Sequence, residues 1–233
     1  ASPPVHRIEV QGVVYTTVLN PADGRKNWID LITAFCWAFK HNENATLIVK
    51  MTHNDPEYYR IALMTLLSRL APFQCRVLVL HGFLEDEQYQ ALIRASNFYI
   101  NASSCEGLCL PLMEFLASGK PAIAPDHTAM ADYVNDTFTF VVQTSLEPTC
   151  WPQDPVGMML THRHRLNWES LMEAFRYSYQ VALEDPARAR RMSSQAFLNM
   201  RDFASVDQVH KPLKDFLEQI LTSAKRSAPS LQP

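Results

Sequence analysis

The chain has 233 residues with 47% hydrophobic content, which is enough for a folded core, and its formal net charge is −3. Its lysines and arginines are scattered, so it has no broad positive field to hold nucleic acid or an anionic membrane surface. Its five cysteines lack the spacing of a zinc site, and we expect buried free thiols in a reducing compartment. These features favour a globular cytoplasmic protein and argue against a nucleic-acid partner or a bound metal.

Strand and helix patterns alternate along the first 142 residues. The predicted strands cover 13–19, 46–50, 76–80, 97–101, 121–124 and 138–142, and helices of about 27–40, 56–70, 85–95 and 107–118 lie between them. This alternation predicts parallel βαβ units, and the near-continuously apolar strands predict a sheet covered on both faces. We therefore expect an α/β fold with a doubly wound, six-stranded, Rossmann-like parallel sheet. Such sheets bind ligands at the carboxyl ends of their strands.

The remainder of the chain has a different pattern. Residues 143–166 show no clear period and are predicted to form an irregular connection, in which the basic cluster 162–165 is a solvated loop or, less favoured, a contact with an acceptor or partner. Helices are predicted near 168–183, 186–203 and 206–221, and residues 223–233 as a flexible tail. We interpret 1–222 as one domain, with a sheet core at 13–142 and carboxyl-terminal helices at 167–222.

Two carboxylates flank a short apolar segment. If a helix begins at Gly107, Glu106 lies at its N-cap and Glu114 about two turns inside, roughly 12 Å away along the axis at ~1.5 Å per residue. That separation is too long for a retaining glycosidase pair, but it suits the two ends of an extended ligand whose phosphate meets the amides at the helix start. Alternatively, Glu106 only caps the helix and Glu114 is a solvated surface residue. The spacing alone does not decide between them.

Further segments place these glutamates in a family. Glu106 and Glu114 match the E-x7-E motif of GT-B glycosyltransferases. Four other segments also match the family and occur along the chain in the family's order: 25–27, 79–84, 100–103 and 119–124. Over residues 13–142 the chain resembles the carboxyl-terminal, donor-binding domain of glycosyltransferase family 4, the glycosyl transferases group 1. The resemblance implies a GT-B fold and transfer of a sugar, with retention, from a nucleotide-diphosphate sugar to a saccharide or lipid-linked acceptor. It also implies chemistry without a metal or other cofactor.

The resemblance assigns roles to individual residues. In the family's pattern the first glutamate faces the donor sugar, the second binds the ribose, and cations after the first strand neutralise the departing diphosphate. On this chain these roles fall on Glu106, Glu114, Lys26 and, beside it, Arg25, with the amides of Gly107 and Leu108 at the diphosphate and Gly82 and Phe83 at the nucleobase. Asn20 occupies the position where the family usually has an arginine, so Arg25 is expected to supply the second positive charge.

The resemblance also predicts partners and leaves an alternative open. A GT-B enzyme encloses its reaction between two domains, so an acceptor-binding N-terminal domain in the same or another chain is expected, and this chain alone is not expected to be active. Polysaccharide biosynthesis and peripheral membrane association of the full protein are further expectations. The alternative, motivated by Asn20, is a non-catalytic sugar-nucleotide-binding or interaction domain. Dinucleotide binding is disfavoured because only Gly24 follows the first strand.

Overall fold

The computed structural model describes residues 8–151 and 154–227 and confirms the predicted α/β architecture. Six parallel strands form one sheet in the order β3-β2-β1-β4-β5-β6. Their bounds are β1 Val13–Leu19, β2 Ala45–Met51, β3 Arg76–His81, β4 Phe98–Ile100, β5 Ala122–Ala124 and β6 Thr139–Val141. The helices are α1 Trp28–Ala38, α2 Pro56–Leu70, α3 Asp86–Ala95, α4 Leu110–Ala117, α5 Trp168–Glu184, α6 Pro186–Ala204 and α7 Val206–Ser227.

The core explains why the central strands are apolar almost throughout. Every residue of β2, β4 and β5 is buried, because helices cover both faces of the sheet. Tyr15, in the middle of β1, is completely buried and its ring packs against Phe35, Phe98 and Phe175. Its hydroxyl lies 3.1 Å from Ser178 Oγ. This aromatic cluster joins the sheet to α1 and α5.

The segment 143–166 corrects the sequence prediction. Instead of an irregular connection it forms an antiparallel hairpin of β7 Thr144–Cys150 and β8 Leu160–Leu166, separate from the main sheet. Most of its residues are exposed or half-buried, so the alternation of apolar and polar residues that identifies a strand is absent. The hairpin is attached to the domain where the backbone N–H of His164 donates to the carbonyl of Ser104 at 3.2 Å.

The last helix also differs from the prediction. α7 continues to Ser227, so the first five residues of the predicted tail are helical and the others lie outside the described residues. One side of α7 carries apolar residues that are each about half exposed, namely Val209, Leu213, Phe216, Leu217 and Ile220. Across residues 8–151 and 154–227, no helix has the length and apolar character needed to cross a membrane.

Candidate active site

The site lies where the direction of the sheet order reverses. In the sheet, β1 lies between β2 and β4. From β1 the chain continues towards β2, and from β4 it continues in the opposite direction, towards β5. A crevice therefore opens at the carboxyl ends of β1 and β4. The loop after β1 and the loop after β4 meet there. They border a cleft of about 900 Å³ whose lining includes Asn20, Arg25, Ser104, Glu106 and Gly107. The strand order therefore brings together residues that are distant in the sequence.

Glu106 is held between two cations. Lys26 Nζ lies 2.5 Å from Glu106 Oε1, and Arg25 Nη1 lies 2.8 Å from Oε2. The Glu106 side chain is 4% exposed. Burial acts to raise the pKa of Glu106, but hydrogen bonds from Lys26, Ser103 and Arg25 outweigh it and the pKa is lowered. The carboxylate therefore stays ionised and accepts from both cations.

Further bonds fix the two loops against each other. Arg25 Nη1 also donates to the carbonyl of Cys105 at 2.9 Å, and the N–H of Ser104 donates to the carbonyl of Arg25 at 2.8 Å. Asn101, the first residue after β4, directs its Nδ2 towards Glu106 Oε1 at 3.4 Å. These contacts join the backbone and side chains of the loops after β1 and β4, so the position of Glu106 is determined by the fold around it.

Backbone strain concentrates around this carboxylate. Among the described residues, the non-glycine positions with positive φ are Asn27 at 52°, Cys109 at 56° and Thr128 at 53°. A β-branched residue such as Thr128 is unfavourable in this region, and such strain typically costs about 1–3 kcal/mol. Thr128 Oγ1 accepts the backbone N–H of Glu106 at 3.1 Å. The strained threonine thus helps to place the buried glutamate.

The start of α4 corrects a second prediction. The helix begins at Leu110 rather than Gly107, and its N-cap is Cys109, whose left-handed backbone separates the helix from Glu106. Glu106 therefore does not cap the helix, and the distance of roughly 12 Å expected along one helix axis at ~1.5 Å per residue does not apply. Gly107 and Leu108 lie in the loop. Gly107 lines the cleft, whereas the Leu108 carbonyl accepts the Tyr133 hydroxyl at 2.6 Å.

The other predicted residues lie outside the lining of this cleft. Glu114, within α4, is exposed and accepts the Tyr89 hydroxyl on Oε2 at 2.7 Å. Burial, together with Glu114, raises the pKa of Tyr89, so this hydroxyl keeps its proton and donates. Gly82, at φ 102°, and Phe83, which is 81% exposed, follow β3 two strands away from β1. The predicted residues thus form one group around Glu106 and another beyond it.

Several residues at the site were not predicted. Asn101 and Thr128 touch Glu106, and the hairpin supplies the other wall of the cleft with Thr149, Trp151, Thr161, His162 and Arg163. Asn101 carried a usable signal, because it begins a loop at the carboxyl end of a strand. Thr128 carried none, and in the hairpin only the basic cluster 162–165 had been singled out, as a less favoured contact with an acceptor or partner. No group of three histidines, cysteines or acids suited to a metal ion occurs in the part of the chain that the structure describes.

A pair of stacked histidines joins the hairpin to the domain: His164 lies in β8, and His127 is buried beneath it. The rings of His127 and His164 stack at a centroid distance of 4.1 Å. His127 is buried and its Nε2 has no hydrogen-bond partner among the described residues. Burial, with a smaller contribution from His164, lowers the pKa of His127 to about 4. At neutral pH the pair therefore holds the hairpin against the domain with His127 uncharged.

Comparison with known proteins supports the family suggested by the motifs. The family model for glycosyl transferases group 1 matches residues 76–149, which include Glu106 and Glu114. No curated protein sequence matches the chain significantly.

Solved structures share the fold. The catalytic domain of cholesterol-α-glucosyltransferase from Helicobacter pylori is 14% identical with a TM-score of 0.57, covering 83% of this chain and 100% of that one. HepE from Anabaena, in complex with UDP-glucose, is 16% identical at TM-score 0.63 and covers 89% and 49%. The pneumococcal O-GlcNAc transferase GtfA, with UDP and GlcNAc, is 18% identical at TM-score 0.62 and covers 91% and 36%. The chain thus matches all of the first structure and half or less of the other two. It shares their GT-B fold, and its residues 76–149 match the family model for glycosyl transferases group 1.

Proposed function

We propose that this domain binds a nucleotide-diphosphate sugar and presents the sugar for transfer, with retention, to a saccharide or lipid-linked acceptor. The observation that carries the proposal is the convergence of Arg25 and Lys26 on Glu106 at the carboxyl ends of β1 and β4. A diphosphate needs cations where its charge grows as the glycosidic bond breaks, and a sugar hydroxyl needs a fixed acceptor. The three side chains provide both within one cluster.

Binding of the donor must rearrange the ion pairs of Glu106 with Arg25 and Lys26. Both Glu106 oxygens already accept from a cation, so an incoming diphosphate must share Arg25 and Lys26 with the carboxylate. Arg25 remains 36% exposed, so its guanidinium can reach a ligand in the cleft. In this proposal the diphosphate draws the cations towards itself, and Glu106 then accepts from a hydroxyl of the sugar.

We propose a role for Asn20 that differs from charge neutralisation. Its Oδ1 accepts the backbone N–H of Ala22 at 3.0 Å, and its carbonyl accepts the N–H of Asp23 at 3.1 Å. These bonds shape the turn that brings Arg25 to the cleft. We propose that Arg25 replaces the missing arginine from this position.

The nucleoside is assigned to the residues beyond Glu106. Tyr89 orients the Glu114 carboxylate, whose remaining lone pairs can accept the two ribose hydroxyls. Space is open around Gly82, where an added Cβ would have no neighbour within 4 Å, and Phe83 is exposed beside it. The base is therefore proposed to lie against Gly82 and Phe83, and the amides of Gly107 and Leu108 to hold the diphosphate. The reaction is proposed to need no metal.

A second, acceptor-binding domain in the same or another chain is part of the proposal. The chain corresponds to half or less of the two longer enzymes compared above. The apolar side of α7, with Phe216 56% exposed, lacks a cover in the described part of the domain. We propose that the complete protein is cytoplasmic, associates peripherally with membrane, and functions in polysaccharide biosynthesis.

A non-catalytic sugar-nucleotide-binding or interaction domain is the second candidate. The observation that favours it is the neutral Asn20 together with a Glu106 that already occupies both nearby cations. A domain of this kind would bind donors and transfer nothing.

Two measurements on the complete protein test the proposals. Calorimetry with UDP-, GDP- and dTDP-linked sugars should detect binding of at least one, and absence of binding to all three contradicts the donor site. A transfer assay then compares the parent with Glu106→Ala and with the control Glu57→Ala, a carboxylate on the surface of α2. We expect loss of transfer only in the first. Donor binding without transfer in the parent protein would favour the second candidate.

A further inference from the structure

The β7–β8 hairpin forms a wall of the cleft that lies largely outside the family match. The matched segment ends at residue 149, whereas Trp151, Thr161 and His162 follow it. The base of the hairpin is fixed by the hydrogen bond from the His164 N–H to the Ser104 carbonyl and by the stacking of His164 on His127. The wall is therefore held at a defined place in the cleft that Arg25 and Glu106 also line.

The side chains on this wall combine one aromatic ring with small polar groups. Trp151 is 49% exposed, so much of its ring is open to a ligand. Thr149 and Thr161 are direct cross-strand partners, which places two hydroxyls side by side near that ring. Trp151 follows Thr149 by two residues, so its side chain shares the face of the hairpin that carries the two threonines. These groups can donate and accept hydrogen bonds around a ring-shaped ligand.

The arginine by which the hairpin lines the cleft, Arg163, is ion-paired with Glu147. Arg163 donates from Nε to Glu147 Oε1 at 2.7 Å, and its Nη2 lies 2.6 Å from the same oxygen. Across the cleft from the hairpin, Glu106 is paired with Arg25 and Lys26. A ligand between them therefore meets an apolar ring and neutral polar groups, which suits a polyhydroxylated ring with an apolar face better than a second phosphate.

We propose that the hairpin binds a pyranose ring, with Trp151 as the stacking surface and Thr149 and Thr161 as hydrogen-bonding groups. The inference rests on the proposed function, because it takes the nucleotide to lie beyond Glu106, towards Glu114. The pyranose is either the sugar to be transferred or part of the acceptor saccharide. Both have the same chemistry, and the test separates them.

The test compares Trp151→Ala with two other variants of the complete protein. Trp151→Phe keeps an aromatic ring, and Trp37→Ala removes a tryptophan of similar exposure, 52%, from α1. Calorimetry measures the affinities for UDP-glucose and UDP, and for GDP-mannose and GDP. Saturation-transfer NMR measures contact with maltose in the presence of the nucleotide that binds, or without nucleotide if none does.

Either of two results supports the proposal. If the hairpin holds the transferred sugar, Trp151→Ala weakens binding of the nucleotide sugar about three- to tenfold and leaves the affinity for the free nucleotide unchanged. If it holds the acceptor, both affinities stay the same and the maltose signals disappear. In each case Trp151→Phe should keep most of the parent's sugar binding, and Trp37→Ala should keep all of it.

Other results overturn the proposal and distinguish it from the donor site. If Trp151→Ala matches the parent protein in both measurements, the hairpin does not bind a pyranose. If the parent binds nucleotides but the donor sugar adds no affinity and maltose makes no contact, the hairpin proposal fails and the nucleotide site stands. If maltose contacts the parent through Trp151 while no nucleotide binds, the donor proposal fails and the hairpin proposal stands.

Discussion

Lys26 Nζ lies 2.5 Å from Oε1 of Glu106, so a cation assigned to the diphosphate and a carboxylate assigned to the sugar are ion-paired in the ligand-free domain. This pairing makes the two functions interdependent. A diphosphate and Glu106 compete for the same positive charge, and neutralising Glu106 should therefore affect binding and transfer in different directions.

Glu106→Gln tests this competition. With the carboxylate neutral, Lys26 loses its ion pair with Glu106 and Arg25 keeps only that with Asp23, at 2.8 Å. More positive charge is then available to phosphate, so we expect tighter binding of the nucleotide diphosphate but slower transfer. The two cations then repel each other, and the free energy of unfolding should fall by about 1–3 kcal/mol. Calorimetry, a transfer assay and urea unfolding at pH 7 measure the three effects, with Glu57→Gln as a surface control. Weaker diphosphate binding in Glu106→Gln would contradict the competition.

Asn20→Arg tests whether the loop after β1 lacks one charge. Asn20 lines the cleft with Arg25, so an arginine there would add a cation beside the proposed diphosphate. We expect the Kd of the nucleotide diphosphate to fall several-fold, with the gain decreasing as salt is added. Asn20→Ala controls for loss of the bond to Ala22. Equal affinities in Asn20→Arg and Asn20→Ala would show that Arg25 and Lys26 already suffice.

Tyr89→Phe tests the orientation of Glu114. The variant removes one hydroxyl, which donates to Glu114 Oε2 at 2.7 Å, and leaves the ring in place. We expect a several-fold loss of affinity for the nucleotide, a larger loss for Glu114→Ala, and none for Tyr58→Phe on the exposed side of α2. If Tyr89→Phe binds as tightly as the parent while Glu114→Ala does not, the hydroxyl has no positioning role.

Because the pKa of His127 is lowered in the folded protein, we expect the free energy of unfolding to fall in mild acid. Its pKa in the folded protein is about 4, below the ordinary value of 6.5, so the unfolded chain takes up the proton first as the pH falls. The stabilisation is complete above about pH 6.5 and is lost as the pH approaches 4. Between about pH 7 and pH 5 the free energy of unfolding of the parent should fall by about 2 kcal/mol more than that of His127→Phe. Urea unfolding at both pH values measures this, with His41→Gln as the surface control.

Much of the fold could be predicted because its signal is local. The buried strands β1 and β2 are apolar runs, and Asp55 and Pro56 begin α2 as their residue types predict. The start of α4 could not be predicted in this way, because Cys109 takes a left-handed backbone where its Sγ lies 2.8 Å from Asn101 Nδ2. That contact depends on tertiary structure.

The site was predicted as a set of residues rather than as an arrangement. Resemblance to a family proposed roles for Lys26, Arg25 and Glu106, but their mutual contact depends on which strands are neighbours in the sheet. The hairpin was missed because its exposed strands have no apolar face that would mark them in the sequence. Residues that only line a cleft do not pack in the core, so they need not follow the apolar periodicity that marks a strand or helix in the sequence.

The hairpin also divides the domain into parts with different tolerance to change. Its tip, which includes Val156, Met158 and Leu160, is exposed and adds nothing to the buried core, whereas Glu106 and its partners are fixed by the main sheet. Substitutions at the tip and along the wall can therefore alter what the cleft accepts at little cost in folding free energy. The architecture lets the lining of the cleft change while the cluster of Arg25, Lys26 and Glu106 stays the same.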